Sequence, residues 1–297
     1  MRKGTGRAGA PFQPMSSRDE AISNSDFGRL RSFIYAQSGI NLNIDKKTML
    51  ELRIKRRLKS LNLASFSEYC EYLFGHQGQK DEIVHFLDVV TTNKTDFFRE
   101  PEHFEFLTQK ALPELIARKG CERPVLAWSA GCSTGEEPYT LAIVMSEFGL
   151  THPGFQFRIL ATDLSNTVLK KAALGIYSEE AVRPVTSDLR KKYFMRSRDR
   201  SSNLLRVVPE LRQLVEFRRL NFKDADYRMT EKADMIFCRN VIIYFDRATQ
   251  EQILQKLIQQ LMPGGYCFVG HSETLHGMDL PLLPIAPALY RRANARP

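Results

Sequence analysis

A chain of 297 residues that is 43% hydrophobic and 26% charged has the make-up of a soluble globular protein, long enough for one large domain or two modest ones. No apolar run reaches the ~18 residues needed to span a bilayer. The net charge of +9 points instead to an acidic partner: nucleic acid, an anionic membrane or an acidic protein surface. Five cysteines, Cys70, Cys121, Cys132, Cys238 and Cys267, are widely spaced and form no C-x-x-C, which argues against a disulfide framework or a zinc site and for a reducing cytoplasm.

In chain order, residues 1–22 read as a flexible basic tail rich in Gly, Ser, Pro and Arg, without the apolar segment of a secretory signal. From 23 to 90 the pattern is helical, punctuated by Gly39, Gly75 and Gly78. The stretch SDFGRLRSFIYAQSG opens on capping residues and closes on Gly39. In DKKTMLELRIKRRLKSLNL, Leu50, Ile54, Leu58 and Leu61 share a stripe predicted to pack inward. Lys46, Arg53, Arg56 and Arg57 face away from it, with Lys55 and Lys59 on the flank. A helix this one-sided in sign reads as a binding face, with a merely solvated surface as the plain alternative.

After residue 90 the texture changes. TTNKTDFFREPEHF is polar, then aromatic, then basic, and Pro101 is placed to open a helix. Strand-like runs follow at 125–129, 157–162, 215–220, 235–238 and 266–270, with helices predicted at 139–148, 166–174 and 249–262. Such alternation implies a mostly parallel sheet covered on both faces, with ligands bound beyond the carboxyl ends of the strands. The charged segment 176–215 interrupts the alternation, and its short β-like pieces (KKYFM, LLRVV) suggest a small inserted subdomain. LMPGGYCFVGHSE reads as a helix end, a Pro-Gly-Gly turn and a fifth strand.

The predicted strand ends carry the chemistry. Gly131-Cys132-Ser133-Thr134-Gly135 fits the G-x-S-x-G of a nucleophile elbow. However, the strand before it is predicted to finish by Ser129 and the helix after it to start near Pro138, which leaves a loop of several residues rather than an elbow. Aspartates and His271 lie downstream in the order a serine hydrolase needs, so that reading stays open. As a cofactor loop, the stretch places Gly131 and Gly135 where a ligand approaches the backbone, ahead of the free N–H groups of a helix. Glu136 and Glu137 would repel phosphate and suit a ligand with hydroxyls and a positive charge; for Glu136, stabilising the helix start is explanation enough. Asp163 ends the second strand, where an acid commonly meets ribose hydroxyls, or else it caps the helix from Asn166. Asn221 and Phe222 follow the third strand, and Arg239, Asn240 and Tyr244 follow the fourth. His271 stands alone in sequence, and no metal site is predicted. With no G-x-G-x-x-G present, a cofactor with adenosine and no pyrophosphate, S-adenosylmethionine, fits best.

The motifs TTNKTDFFREPEHF, WSAGCSTGEEPYTLAI, ILATDLSNTVLKKAALGIY, FCRNVIIYFD and GGYCFVGHSE, in this order, resemble those of the chemotaxis receptor methyltransferase (CheR) family from about Phe27 to Tyr290. The resemblance implies an α/β Rossmann-like methyltransferase sheet, a small all-helical N-terminal domain at 23–90, a linker at 91–102 that contributes to the cofactor site, and a catalytic domain at 103–297 with an inserted antiparallel β-subdomain at about 176–215. It implies methyl transfer from S-adenosylmethionine to glutamate side chains of chemoreceptors, with S-adenosylhomocysteine as product. Matched position by position, it puts Asn93, Thr95, Arg99, Glu137, Asp163, Asn221, Phe222, Arg239 and Asn240 at the cofactor. Phe222 stands where a leucine is expected. The chemistry calls for no general base, because a glutamate is already ionised near pH 7. Arg99 is therefore expected to hold a carboxylate, and Tyr244 to line the methyl's path. The face carrying Arg53, Arg56, Arg57 and Lys59 is expected to dock acidic receptor helices, and the β-subdomain to take a receptor C-terminal peptide. A cytoplasmic enzyme without membrane insertion or nucleic-acid partner follows. A nucleic-acid methyltransferase is the further alternative, although Arg239-Asn240-Val241-Ile242 replaces its N/D-P-P-Y motif.

Overall fold

The computed structural model describes residues 21–120, 123–199 and 202–294, and they form two compact units. Most of the tail expected at 1–22, and Cys121, lie outside the described residues. Among those residues no helix is long and apolar enough to cross a membrane.

The first unit is helical. Helix α1 (Asn24–Ser38) is followed by α2 (Lys47–Leu61), α3 (Phe66–Phe74), α4 (His76–Asp81) and α5 (Ile83–Val90). Local signals set its boundaries. Asn62 ends α2 in the left-handed conformation, and the Ser65 hydroxyl caps α3 by accepting from the Glu68 N–H. Gly78 is forced by close packing, because a Cβ there would lie 2.0 Å from the Tyr72 carbonyl oxygen.

Leu50, Ile54 and Leu58 of α2 are buried, as their spacing predicts. The polar side of α2 departs from expectation. Arg57 is drawn inward by Glu82, with two 2.7 Å hydrogen bonds to a carboxylate that is 1% exposed and also accepts from the Tyr69 hydroxyl at 2.9 Å. Arg53 donates to the Val90 carbonyl. A long basic stem close to the apolar stripe lays its methylenes on the core and sends its head to an internal acceptor. The exposed basic residues of α2 are Lys55, Arg56 and Lys59.

The second unit comprises Gln37–Asn41 and Thr91–Pro297. It opens with α6 (Glu102–Phe106), a π-helical stretch (Leu107–Ala111) and α7 (Leu112–Lys119). Then come β1 (Val125–Ala130), α8 (Glu136–Leu150), β2 (Phe157–Asp163), α9 (Asn166–Leu174), β3 (Ile176–Ser178), α10 (Ser187–Tyr193), β4 (Phe194–Arg196), β5 (Leu204–Val207), α11 (Pro209–Arg212) and β6 (Val215–Arg219). The chain finishes with β7 (Ala233–Cys238), a 3-10 turn (Ile242–Tyr244), α12 (Arg247–Gln259), β8 (Leu261–Val269), β9 (Leu282–Ala286) and β10 (Leu289–Arg292).

Seven strands form one sheet in the order β6-β2-β1-β7-β8-β10-β9. The β6, β2, β1, β7 and β8 neighbours pair in parallel, whereas β10 runs antiparallel to both β8 and β9. β1 and β7 are buried along their whole length, as strands covered on both faces must be. The chain winds outward from β1 through β2 to β6, then returns to place β7 on the other side of β1. This leaves a crevice at the carboxyl ends of β1 and β7, where such sheets take their ligands. β3, β5 and β4 make the separate antiparallel sheet expected within 176–215.

Two details correct the sequence reading. Pro263-Gly264-Gly265 lies inside β8 rather than in a turn before it, and α12 stops at Gln259. A Cβ on Gly265 would lie 2.7 Å from the Asp234 carbonyl oxygen, so the glycine admits the β7 backbone at an irregularity in the pairing. The hairpin β9–β10 was not foreseen, because Pro284 interrupts a short run that does not alternate.

Candidate active site

The site is built from loops at the carboxyl ends of β1, β2, β7 and β8 and from residues 91–102. The latter segment is anchored by its aromatic residues. Phe97, 1% exposed, meets the Tyr177 and Phe194 rings edge-on at 5.0 and 5.6 Å, and Phe104 stacks on Phe237 at 6.2 Å. Between these anchors Phe98 and Glu100 have φ of +54° and +56°. A positive φ is costly for such residues and concentrates at functional sites.

Ser133 joins this segment to the sheet. Its hydroxyl donates to the Asn93 carbonyl and its N–H to Asp163 Oδ2, both at 2.9 Å. Asp163 Oδ1 accepts the Ser165 N–H at 2.9 Å, and Ser165 itself caps α9. Asp163 is therefore not the cap of that helix. It is a strand-end carboxylate held against the 131–135 loop. The hydrolase reading loses its nucleophile here. Ser133 has an elbow-like φ of +50°, but the residue is 8% exposed and its hydroxyl is bonded to a backbone carbonyl instead of a base.

The two glycines of the loop are packed closely by the protein itself. The space a Cβ would take at Gly131 is filled by Val241 Cγ2 at 2.5 Å, and at Gly135 by the Tyr177 hydroxyl at 2.8 Å and Ala172 Cβ at 2.9 Å. Both have positive φ, +90° and +99°. Close packing against neighbouring protein atoms and a left-handed backbone thus each call for glycine at these two positions.

Behind the loop runs a chain of charges. Ser129 Oγ donates to Glu137 Oε1 at 2.7 Å, Arg239 pairs with Glu137 Oε2 at 3.2 Å and with Glu100 Oε2 at 3.1 Å, and Arg239 also donates to the Arg99 carbonyl. The Arg239 side chain is 2% exposed, so it acts from behind the site by tying residues 99 and 100 to β7 and α8. Burial pushes the Glu137 carboxyl up, against the pull of Arg239 and Ser129. Burial also acts to raise Glu100, but Arg239 and the His271 N–H outweigh it and hold that carboxyl below its ordinary value. Glu136, 7% exposed, accepts from Thr134 Oγ1 at 2.7 Å and is likewise raised by burial.

Sequence reasoning gave no role to Glu100, Glu273 or His103. Glu273 takes four backbone N–H groups on one carboxylate: Asn240 and Gly270 on Oε2, Val241 and Ile242 on Oε1, at 2.6–2.8 Å. Its only sequence signal is an acid two residues after His271 in GHSE. Nor is His271 isolated in space. The His103 ring lies 5.1 Å from it, and Glu100 joins them with ligand atoms all within 4.8 Å, although that carboxylate is already paired with Arg239.

The other predicted residues have contacts of their own. Asn93 and Thr95 are half-buried on the 91–102 segment, and Arg99 Nη1 donates to the Lys94 carbonyl at 3.3 Å. Asn221 gives its amide to the Gln37 carbonyl at 2.7 Å, and the Phe222 ring packs between Tyr227 and Phe245 at 6.2 and 6.5 Å. Tyr244 sits half-buried in the 3-10 turn after β7. Arg53, Arg56, Arg57 and Lys59 belong to the first unit.

This donor set suits a nucleoside with a cationic centre. Asp163 offers carboxylate oxygens to hydroxyls, and Glu100, Glu137 and Glu273 outnumber Arg239, a balance that favours a cation and repels phosphate. Comparison with known proteins agrees. A family model described as "CheR methyltransferase, SAM binding domain" matches residues 93–283, and one described as "CheR methyltransferase, all-alpha domain" matches residues 25–91. The chain belongs to the CheR methyltransferase family. It is 37% identical to the chemotaxis protein methyltransferase of Borreliella burgdorferi, covering 91% of this chain and 95% of that one. It is 40% identical to chemotaxis protein methyltransferase 2 of Pseudomonas aeruginosa (89% and 91%) and 39% identical to the chemotaxis protein methyltransferase of Escherichia coli (87% of each). As a member of the CheR family, the chain is an S-adenosylmethionine-dependent methyltransferase of chemotaxis, and the hydrolase and nucleic-acid readings are not favoured.

Proposed function

We propose that the enzyme methylates glutamate side-chain carboxylates on the cytoplasmic helices of chemoreceptors, giving glutamyl methyl esters. The observation that carries this reading is a site rich in positioning contacts and poor in bases: Ser133 is tied to a backbone carbonyl, and Glu137 and Glu100 are tied to Arg239. An acceptor that is already an anion needs no proton removed. Catalysis then rests on orientation, a contribution that reaches ~7–11 kcal/mol in well-aligned systems.

The cofactor supplies an electrophilic methyl group on a sulfonium. In this reading Asn93, Thr95, Arg99, Glu137, Asp163, Asn221, Phe222, Arg239 and Asn240 form its site, Arg239 by bracing Arg99 and Glu137 from behind. Arg99 orients a carboxylate through its planar guanidinium, and Tyr244 lines the methyl's path. Residues 91–102 act as the linker between a helical domain at 23–90 and the catalytic domain at 103–297. Lys55, Arg56 and Lys59 supply the exposed charge for acidic receptor helices, and Arg53 and Arg57 support α2 beneath them. The antiparallel sheet at 176–215 receives a receptor C-terminal peptide, its exposed Ile176, Met195 and Leu204 offering apolar contact. Free buried thiols at Cys70, Cys132, Cys238 and Cys267 are in keeping with a cytoplasmic enzyme.

The test is transfer of tritiated methyl from S-adenosylmethionine to receptor-containing membranes. Carboxyl methyl esters release their label as methanol in mild alkali, whereas N-methyl products keep it. Alkali-stable label would refute the glutamate assignment. Asp163→Ala is expected to weaken S-adenosylhomocysteine binding by tenfold or more, roughly the worth of a charged hydrogen-bond partner.

A further inference from the structure

Glu273 has no role assigned above, yet its carboxylate accepts four backbone N–H groups. It is 6% exposed. Asn240 and Gly270 N–H donate to Oε2 at 2.8 and 2.6 Å, and Val241 and Ile242 N–H donate to Oε1 at 2.8 Å each. Three of these donors are consecutive and belong to the turn that leaves β7. Asn240 adopts φ +58°, costly for a residue with a side chain, and the 3-10 turn carrying Tyr244 begins two residues later.

Without a strong acceptor the 240–242 segment would present three N–H groups to the interior with no partner from strand or helix. Each buried, unpaired N–H is costly, so the carboxylate selects this conformation over an ordinary turn. The same segment is gripped from two further sides. Val241 occupies the space beside Gly131 in the loop after β1, and Asn240 presses so closely on Gly270 that a Cβ there would lie 2.5 Å from its Nδ2. The Asn240 amide also reaches Glu100 Oε1 at 3.4 Å. One side chain in the loop after β8 thus sets the placement of the β7 loop, and through Val241 it bears on the loop after β1.

We infer that Glu273 is a positioning residue for methyl transfer: its carboxylate is the template on which residues 240–242 fold, and it fixes Asn240 and Tyr244 at the strand ends without touching cofactor or substrate itself. This role rests on the proposed assignment of Asn240 and Tyr244 to the site.

The experiment compares wild type with Glu273→Gln, Glu273→Asp and Gly270→Ala. S-adenosylhomocysteine affinity is measured by calorimetry and receptor methylation in steady state, well below the melting temperature. Glutamine is isosteric but turns one acceptor oxygen into a donor, leaving two of the four N–H groups unpaired. Glu273→Gln is expected to lose about tenfold in S-adenosylhomocysteine affinity and at least as much in kcat, with its far-UV spectrum unchanged. Glu273→Asp keeps the charge and should recover part of both. A purely structural glutamate would lower the melting temperature of Glu273→Gln and leave Kd and kcat at wild-type values, and that result overturns the inference. If Glu273→Gln does not fold, Gly270→Ala decides, because it displaces the same loop with the carboxylate intact: loss of affinity and kcat supports the role, and wild-type values overturn it. Wild-type enzyme that binds S-adenosylhomocysteine but methylates no receptor glutamate would refute the proposed substrate, while the affinities of the variants would still judge Glu273.

Discussion

Around the strand ends, burial and charge pairing pull the carboxyl groups in opposite directions. Glu137 and Glu273 are raised by desolvation and held in place by Arg239 and by backbone N–H groups respectively, whereas the neighbours of Glu100 bring it below the ordinary carboxylate range. His103 goes furthest. It is 3% exposed, and burial, followed by the nearby Arg239, lowers its pKa to about 4. An unfolded imidazole takes its proton near 6.5, so the unfolded state binds that proton first as pH falls. The stability tied to neutral His103 is therefore complete above about pH 6.5 and erodes as pH falls toward about 4. Glu100, depressed in the fold, gives up its contribution only at pH values below its unfolded pKa of ~4.3, so the two windows separate. Melting temperatures recorded between pH 7 and 4 are expected to fall more steeply for wild type than for His103→Gln. Parallel profiles would show that His103 does not drive the decline.

Among the elements, α2 divides its basic residues between two tasks. Arg57 is bound to a fully buried carboxylate and belongs to the core of the helical unit, while Lys55, Arg56 and Lys59 remain in solvent. Removing one partner of a buried ion pair strands the other, at a cost of about 3 kcal/mol, whereas exposed charges are worth well under one. Chemical denaturation should find Arg57→Ala destabilised by that order and a Lys55→Glu, Arg56→Glu, Lys59→Glu triple variant nearly unchanged. The triple variant is expected instead to slow receptor methylation several-fold at low salt, with S-adenosylhomocysteine affinity intact. The deficit should shrink as ionic strength rises and the screening length falls toward ~8 Å. Equal loss of cofactor affinity in the triple variant would end the docking idea.

Across the whole molecule, the described cysteines are spread through both units, and none is available for chemistry. Cys70, Cys132, Cys238 and Cys267 are free and buried. Burial raises all four thiols, Cys70 and Cys267 to about 12 and the others well above the ordinary value. The thiolate is the reacting form, so these groups are inert in the native state at pH 8. In a Cys121→Ser background a thiol reagent such as Ellman's is expected to label the native protein only at the rate of unfolding, and all four thiols at once in denaturant. Rapid labelling of one thiol under native conditions would place it at the surface.

Much of the fold was legible because its signals are local or periodic. The β1, β2, β6, β7 and β8 runs follow from apolar stretches of strand length separated by helical ones. The stripe of Leu50, Ile54 and Leu58 follows from 3.6-residue spacing. Asp163 was legible as a strand-end acid, and the ordered motifs carried the family. What stayed hidden depends on which distant residues meet. The sequence separates His103 from His271, Glu100 from Arg239, and Glu273 from Asn240 too far for any spacing rule to link them. Arg57 is turned inward by Glu82, and Gly131 makes room for Val241 of the loop after β7. Periodicity and turn chemistry act within a few residues and so are written along the chain. Burial, charge pairing and the satisfaction of backbone N–H groups are decided only where the strand ends come together.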